Sequence, residues 1–235
     1  MHNPHPLDGA FERVARAGEH LEDLRGRLDA LRRAQENAFL PYFDTTPPHQ
    51  FGLMVPQVAT ASRRIPVLVG EICYNLRSSL DYLVFELALA NSRVRQNGTQ
   101  FPIDDTEKRF VKHVKEGWLR GVSTDHVEAI KQLQPYNGCA WTKSLREISN
   151  PDKHRELIRM RAAHTGAAYS PVDPEFEGLV LPVRRTRHPV VGSVDIKVDF
   201  SATIQFVDGG PVIETLDEIK VKVAETLTAF KAEFK

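Results

Sequence analysis

The chain has 235 residues, 41% of them hydrophobic and 26% charged: enough to bury the core of one sizeable domain, and too apolar for wholesale disorder. Lys+Arg and Asp+Glu number 31 each, so the net charge is zero, which argues against a protein gripping duplex DNA mainly through its phosphates while leaving local basic patches open. The two cysteines, Cys73 and Cys139, lie far apart with no CxxC partner, which excludes a cysteine-rich zinc module and argues against a disulfide scaffold.

Residues 1–10 carry no basic stretch followed by an apolar core, and no apolar run approaches membrane-spanning length. The expectation is a cytoplasmic protein without a membrane partner. Residues 7 to about 39 read as a helix, with Val14, Ala17, Leu21, Leu24, Leu28 and Leu31 recurring at alternating spacings of three and four. That stripe resembles a short coiled-coil seam. It suits a homodimer or a partner helix docking through residues 8–40, or equally a bundle helix packing on its own domain. Pro41 is expected to stop the helix; residues 44–50, with Pro47 and Pro48, read as a loop, and 51–55 as a short strand.

The strongest element is a long helix over residues 65–90, with Pro66 in its first turn and an apolar stripe of Ile65, Val69, Ile72, Leu76, Leu80, Leu83 and Leu87. A loop follows through Asn97-Gly98 to Phe101-Pro102. Shorter helices are predicted over 106–116 and 123–133, each opened by a residue able to cap. Another runs from Trp141 to Ile148, and Asn150-Pro151-Asp152 reads as a cap, first-turn proline and first-turn acid restarting a helix to about Ala163.

Beyond His164 the texture changes. Residues 179–183, 194–200 and 203–207 read as strands, the second alternating Val194, Ile196, Val198 and Phe200 with polar residues, and Asp208-Gly209-Gly210 reads as a turn. Thr215 with Glu218 predicts a capping box opening a final helix on Leu216, Ile219, Val223, Leu227, Phe230 and Phe234. The order predicts an α+β protein of one domain, residues 1–235: a helical bundle over 1–164, then a small antiparallel sheet over 165–235 whose face the last helix covers.

Two clusters could carry chemistry. On the long helix, Asn75 and Tyr82 lie on one polar flank and Arg77 and Asp81 on the other, the latter four apart and able to pair. On spacing alone, a surface ion pair is the preferred reading. The second cluster is Asn150, Asp152, Lys153, His154 and Arg155. His154 shares a face with Ile158 and can point inward, with Asp81 as an obvious partner. His113, His126 and His164 show no metal-ligand spacing, and GxGxxG, GxxxxGK[ST] and GxSxG are absent, so neither a metal nor a cofactor is expected. Trp118 and Trp141 read as core or interface anchors, and the basic run Arg184, Arg185, Arg187 and His188 as a solvated turn in preference to a phosphate contact.

The stretch "GEICYNLRSSLDYLVFELA" (residues 70–88) resembles the NLRSxLD[HY] signature of a widespread group of uncharacterised bacterial proteins. "TQFPI" (99–103), "LQPY" (133–136) and "LREISNPDKHREL" (145–157) resemble later blocks of that group in the same order. The resemblance implies an architecture and brings no established activity. A second likeness is to HEPN domains, helical bundles that are often RNases of toxin or defence systems and carry an Arg-x4-6-His motif. Here Arg77 matches and Tyr82 stands where the histidine would be.

Tyrosine, with a reference pKa of about 10, is a poor general base at neutral pH. An enzyme of that class would need Arg77 as phosphate clamp, His154 as acid/base and Asn75 as orienter. The favoured expectation is a non-catalytic binding or interaction protein, with Asn75, Arg77, Asp81 and Tyr82 tied to Asp152, Lys153, His154 and Arg155 in a structural polar network. RNA remains open as a partner, without support from net charge.

Overall fold

A computed structural model defines the architecture, and it describes residues 5–36, 40–44, 50–54, 64–154, 160–171, 196–206 and 211–234. Among the described residues, six α-helices dominate: α1 (Asp8–Glu36), α2 (Arg64–Ser92), α3 (Glu107–Lys115), α4 (Thr124–Gln132), α5 (Ala140–His154) and α6 (Val212–Lys231). The other described elements are β1 (Leu40–Asp44), β2 (Gln50–Met54), β3 (Met160–Pro171), β4 (Ile196–Phe206) and a 3-10 turn over Pro135–Asn137.

Helix α2 is the axis of the fold because its apolar arc is unusually wide. Leu68, Ile72, Leu76, Leu80 and Leu83 are buried on it, and so are Val69, Cys73, Val84 and Leu87 to either side. A helix buried over so much of its circumference must be covered by several neighbours. Helices α1, α5 and α6 all pack against it. Leu7, Ala10, Val14, Ala17, Leu21 and Leu24 of the N-terminal stripe join the same core as Leu216, Ile219, Val223 and Leu227 of α6. The seam that resembles a coiled coil is therefore filled within the chain over those residues. At its edge, Arg25 of α1 pairs with Asp217 of α6, which Lys220 also approaches at 3.2 Å.

The short helices start where their caps demand. The Thr106 hydroxyl accepts from the Arg109 N–H at 3.4 Å, and that of Ser123 from the His126 N–H at 3.3 Å. Both satisfy an amide that the first helical turn leaves without a partner.

The α+β expectation is corrected: the described residues are mostly helical, and the predicted sheet layered under a closing helix is not supported. The described β-segments form two separate two-stranded antiparallel ladders, β1 with β2 and β3 with β4. A two-stranded ladder is too narrow to make a core layer, and the apolar stripe of α6 is spent in the helical core. β4 (Ile196–Phe206) is one unbroken strand where two were expected, over the described part of 194–200 and 203–207. Residues 160–163, expected to end a helix, instead begin β3, where Met160 pairs with Phe206 and Ala163 with Thr203. The strand at 179–183 and the turn at 208–210 fall outside the described residues.

Two helix boundaries are also corrected. α5 is continuous through Pro151, which stands in its last turn, where a missing N–H forfeits a single helical bond. The capping box at Thr215 does not form, because α6 begins three residues earlier, after Pro211. Thr215 lies inside the first turn and its hydroxyl donates back to the Pro211 carbonyl at 2.6 Å. Among the described residues, no helix is long and apolar enough to cross a membrane.

Leu80 is fully buried at the centre of α2. Leu80→Ala is expected to lower the unfolding free energy by about 2–5 kcal/mol, read as a lower urea midpoint at unchanged slope.

Candidate functional site

The backbone between α2 and α3 has no regular structure over residues 96–104, so its buried amides and carbonyls must find partners elsewhere. Two side chains one turn apart on α2 provide them at Phe101. The Arg77 guanidinium donates to the Phe101 carbonyl, and the Phe101 N–H donates to Asp81 Oδ1 at 2.8 Å. Arg77 Nε stands 4.0 Å from Asp81 Oδ1. The pair expected as a surface salt bridge is thus a clamp on one residue, whose ring is fully buried in the core. Burial pulls the Arg77 guanidinium below its ordinary pKa, and the facing carboxylates of Asp81 and Asp104 push in the opposite direction.

The next residues are held from the other side. Gln134, fully buried, donates its Nε2 to the Pro102 carbonyl at 2.9 Å and to the Ile130 carbonyl at 3.0 Å. Its Oε1 accepts the Asp104 N–H at 2.9 Å. The Asp104 carboxylate is 1% exposed, with Oδ2 2.8 Å from His113 Nδ1 and Oδ1 3.7 Å from Arg109 Nε. Because a carboxylate only accepts, this contact makes Nδ1 the protonated nitrogen of His113. The His113 ring lies flat on Trp118, centroids 3.8 Å apart and planes within 8°. Asp105 turns outward to Arg146 of α5, with two contacts of 2.7 Å, and that hydrogen-bonded guanidinium holds its carboxyl below the ordinary value.

The structure divides the sequence-predicted site. Asn75 and Tyr82 face α1, away from the clamp. Asn75 donates to the Glu71 carbonyl at 2.8 Å, and its Oδ1 accepts from Arg13 at 3.3 Å. The Arg13 guanidinium lies 5.8 Å from the Tyr82 ring and 5.9 Å from the Tyr74 ring. Both tyrosines are exposed, Tyr74 at 57% and Tyr82 at 42%. Asp152, Lys153 and His154 are described only as backbone in the last turn of α5, and Arg155 lies outside the described residues, so their expected link to Asp81 does too.

Asp104, His113 and Gln134 are the residues sequence reasoning missed. His113 has no metal-ligand spacing in the sequence, and its partner is a carboxylate placed before the helix on whose last turn it sits. Among the described residues, no group of three or more His, Cys, Asp and Glu side chains is placed to hold a metal ion.

No protein-family model, curated protein or solved structure matches the chain.

Arg77→Ala is expected to destabilise the fold by about 3–5 kcal/mol, since it removes the donor to Phe101 and the cation facing two carboxylates. Arg77→Lys keeps the charge without the fork and loses less; urea unfolding ranks the two. Asp105 gives a pH signature. Its folded pKa is depressed, so its contribution is present above the unfolded value of about 3.9 and lost as pH falls through the folded one. Arg146→Met is expected to flatten the acid limb of a stability-against-pH curve and leave the neutral region parallel to wild type.

Proposed function

We propose that this chain is a non-catalytic binding or interaction protein in which Arg77 and Asp81 act as an architectural clamp. The observation that carries the reading is the capture of both polar atoms of Phe101 by these two side chains. An arginine serving as a phosphate clamp must aim its fork at a ligand. Here the guanidinium is largely buried and donates to the protein's own backbone.

The four blocks that carry the resemblance to the NLRSxLD[HY] group support the same reading. Arg77 and Asp81 of the first block hold Phe101 of the second, and Gln134 of the third holds Pro102. Arg146 of the fourth block holds Asp105, just beyond the second. Motif residues spent on joining one another are used for structure. The position that a HEPN-like nuclease would fill with histidine is Tyr82, which faces Arg13 on the opposite flank from Arg77. On that flank, the exposed Tyr74 and Tyr82 bracket Arg13, a composition enriched where proteins meet partners.

Labelled RNA incubated with wild type, His154→Ala and Tyr82→His is expected to give three superimposable traces without protein-dependent cleavage. Cleavage by wild type that His154→Ala abolishes would overturn the proposal.

A further inference from the structure

Neutral overall charge conceals a local imbalance. Residues 91–121 contain seven Lys and Arg against four acidic residues. Three of those acids are occupied: Asp104 is buried against His113, Asp105 pairs with Arg146, and Glu107 meets Lys131 at 2.7 Å. Only Glu116 is left beside the cations, 3.6 Å from Lys112.

The fold gathers this segment at one end of the bundle. The Asn91 amide donates to the Gly121 carbonyl at 2.9 Å, and the Gln100 N–H to the Trp118 carbonyl at 3.0 Å. These bonds bring the end of α2 against the turn after α3. Gly117 and Gly121 shape that turn, at φ +92° and +83°, and the Arg120 side chain folds over Gly117. Arg93, Arg95 and Arg120 therefore share one end of the molecule, and all are exposed. Along α3, Lys108, Lys112 and Lys115 follow at spacings of four and three, a single face about 10 Å long, with Lys112 70% exposed. Arg93 takes φ 55°, the left-handed position just past a helix end that glycine normally fills. There its N–H closes the end of α2 on the Leu89 carbonyl at 2.8 Å, and its side chain is left exposed.

Apolar groups stand among the charges. Val94, between Arg93 and Arg95, is 61% exposed, and Val111, beside Lys112, 43%. A ligand that is only charged would leave these side chains unused, whereas a nucleic-acid strand sets flat bases between its phosphates. The patch is short, and the rest of the protein carries the compensating negative charge. That disfavours a duplex, whose binding draws on an extended basic field. We infer that the end of the bundle formed by α3, the 116–121 turn and residues 93–95 binds single-stranded nucleic acid, with the lysines and arginines on phosphates and Val94 and Val111 against bases. The inference rests on the binding-protein reading, to which it adds a ligand class.

The test is fluorescence anisotropy on the full chain with fluorescein-labelled oligouridylate and oligothymidylate of about 20 nucleotides. Wild type is expected to bind one or both, with affinity falling about 100-fold between about 50 mM and about 200 mM salt, as for some five phosphate contacts. Binding of both strands marks a phosphate-and-base surface indifferent to the sugar, and preference for oligouridylate marks a 2′-hydroxyl contact; either supports the inference. Lys112→Glu with Lys115→Glu is expected to weaken binding at least about ten-fold through lost phosphate contacts, and the glutamine pair substitutes if the reversal disturbs the circular dichroism spectrum. Arg16→Glu with Arg33→Glu, the same charge change on exposed positions of α1, is expected to leave binding near wild type.

Absence of binding at the lower salt overturns the inference. So do equal losses in the two double variants, or polyglutamate competing as well as unlabelled oligonucleotide, which would mark a docking site for an acidic protein. Recovered oligonucleotide is run on a gel: strand cleavage would overturn the non-catalytic reading and leave the binding surface standing.

Discussion

The peptide unit at Phe101 is the constraint on which the rest of the described structure depends. A buried, irregular segment leaves amides and carbonyls that water cannot reach, and each left without a partner costs about 1–3 kcal/mol. Arg77 and Asp81 meet that demand from one turn of the central helix, and Gln134 meets it from the opposite side at Pro102 and Asp104. With the backbone so held, Phe101 and Ile103 enter the core and α3 leaves in a fixed direction. Placing the cation there is costly in itself, since burial disfavours the charged guanidinium; the facing carboxylates reduce that cost without cancelling it, and the Phe101 carbonyl accepts its hydrogen bond.

The clamp also explains how one segment serves two ends. Its inner residues, Phe101 to Asp104, are bound by α2, α3 and the turn after α4, so the flanking stretches are carried at the surface in a defined place. Asp104 removes itself from the surface by pairing with His113, and Asp105 and Glu107 are occupied by Arg146 and Lys131. Three of the four acidic residues of this region are occupied in holding the fold, while most of its lysines and arginines stay exposed. Net charge over the whole chain, zero by composition, averages over that separation and conceals it.

Much of the helical architecture was legible in the residues because local rules dominate there. The 65–90 stripe, the caps at Thr106 and Ser123, and the opposite flanks of Asn75 and Arg77 follow from a 3.6-residue period and from unpaired first-turn amides. Legibility failed where a distant partner decides. Residues 160–163 have a helix-compatible composition, yet pairing with β4 takes their backbone bonds. Thr215 and Glu218 have capping-box spacing, but the helix begins at Val212. The alternation at Val194, Ile196, Val198 and Phe200 suggested a half-buried sheet, whereas among the described residues β4 pairs with β3 alone, in a two-stranded ladder.

For the candidate site, the sequence by itself determined that Arg77 and Asp81 lie four apart on one helix flank and that Asn75 lies on another. Spacing along a helix is a covalent property, so no tertiary information was needed. Only the tertiary structure decided what the pair holds. Phe101 is twenty residues beyond Asp81, and Asp104, His113 and Gln134 have no periodic relation to either. Their association is a matter of which buried donors and acceptors meet once the chain has folded. The same meeting turned an apparent surface ion pair into an internal clamp and sent Asn75 and Tyr82 to Arg13 on the other side of α2.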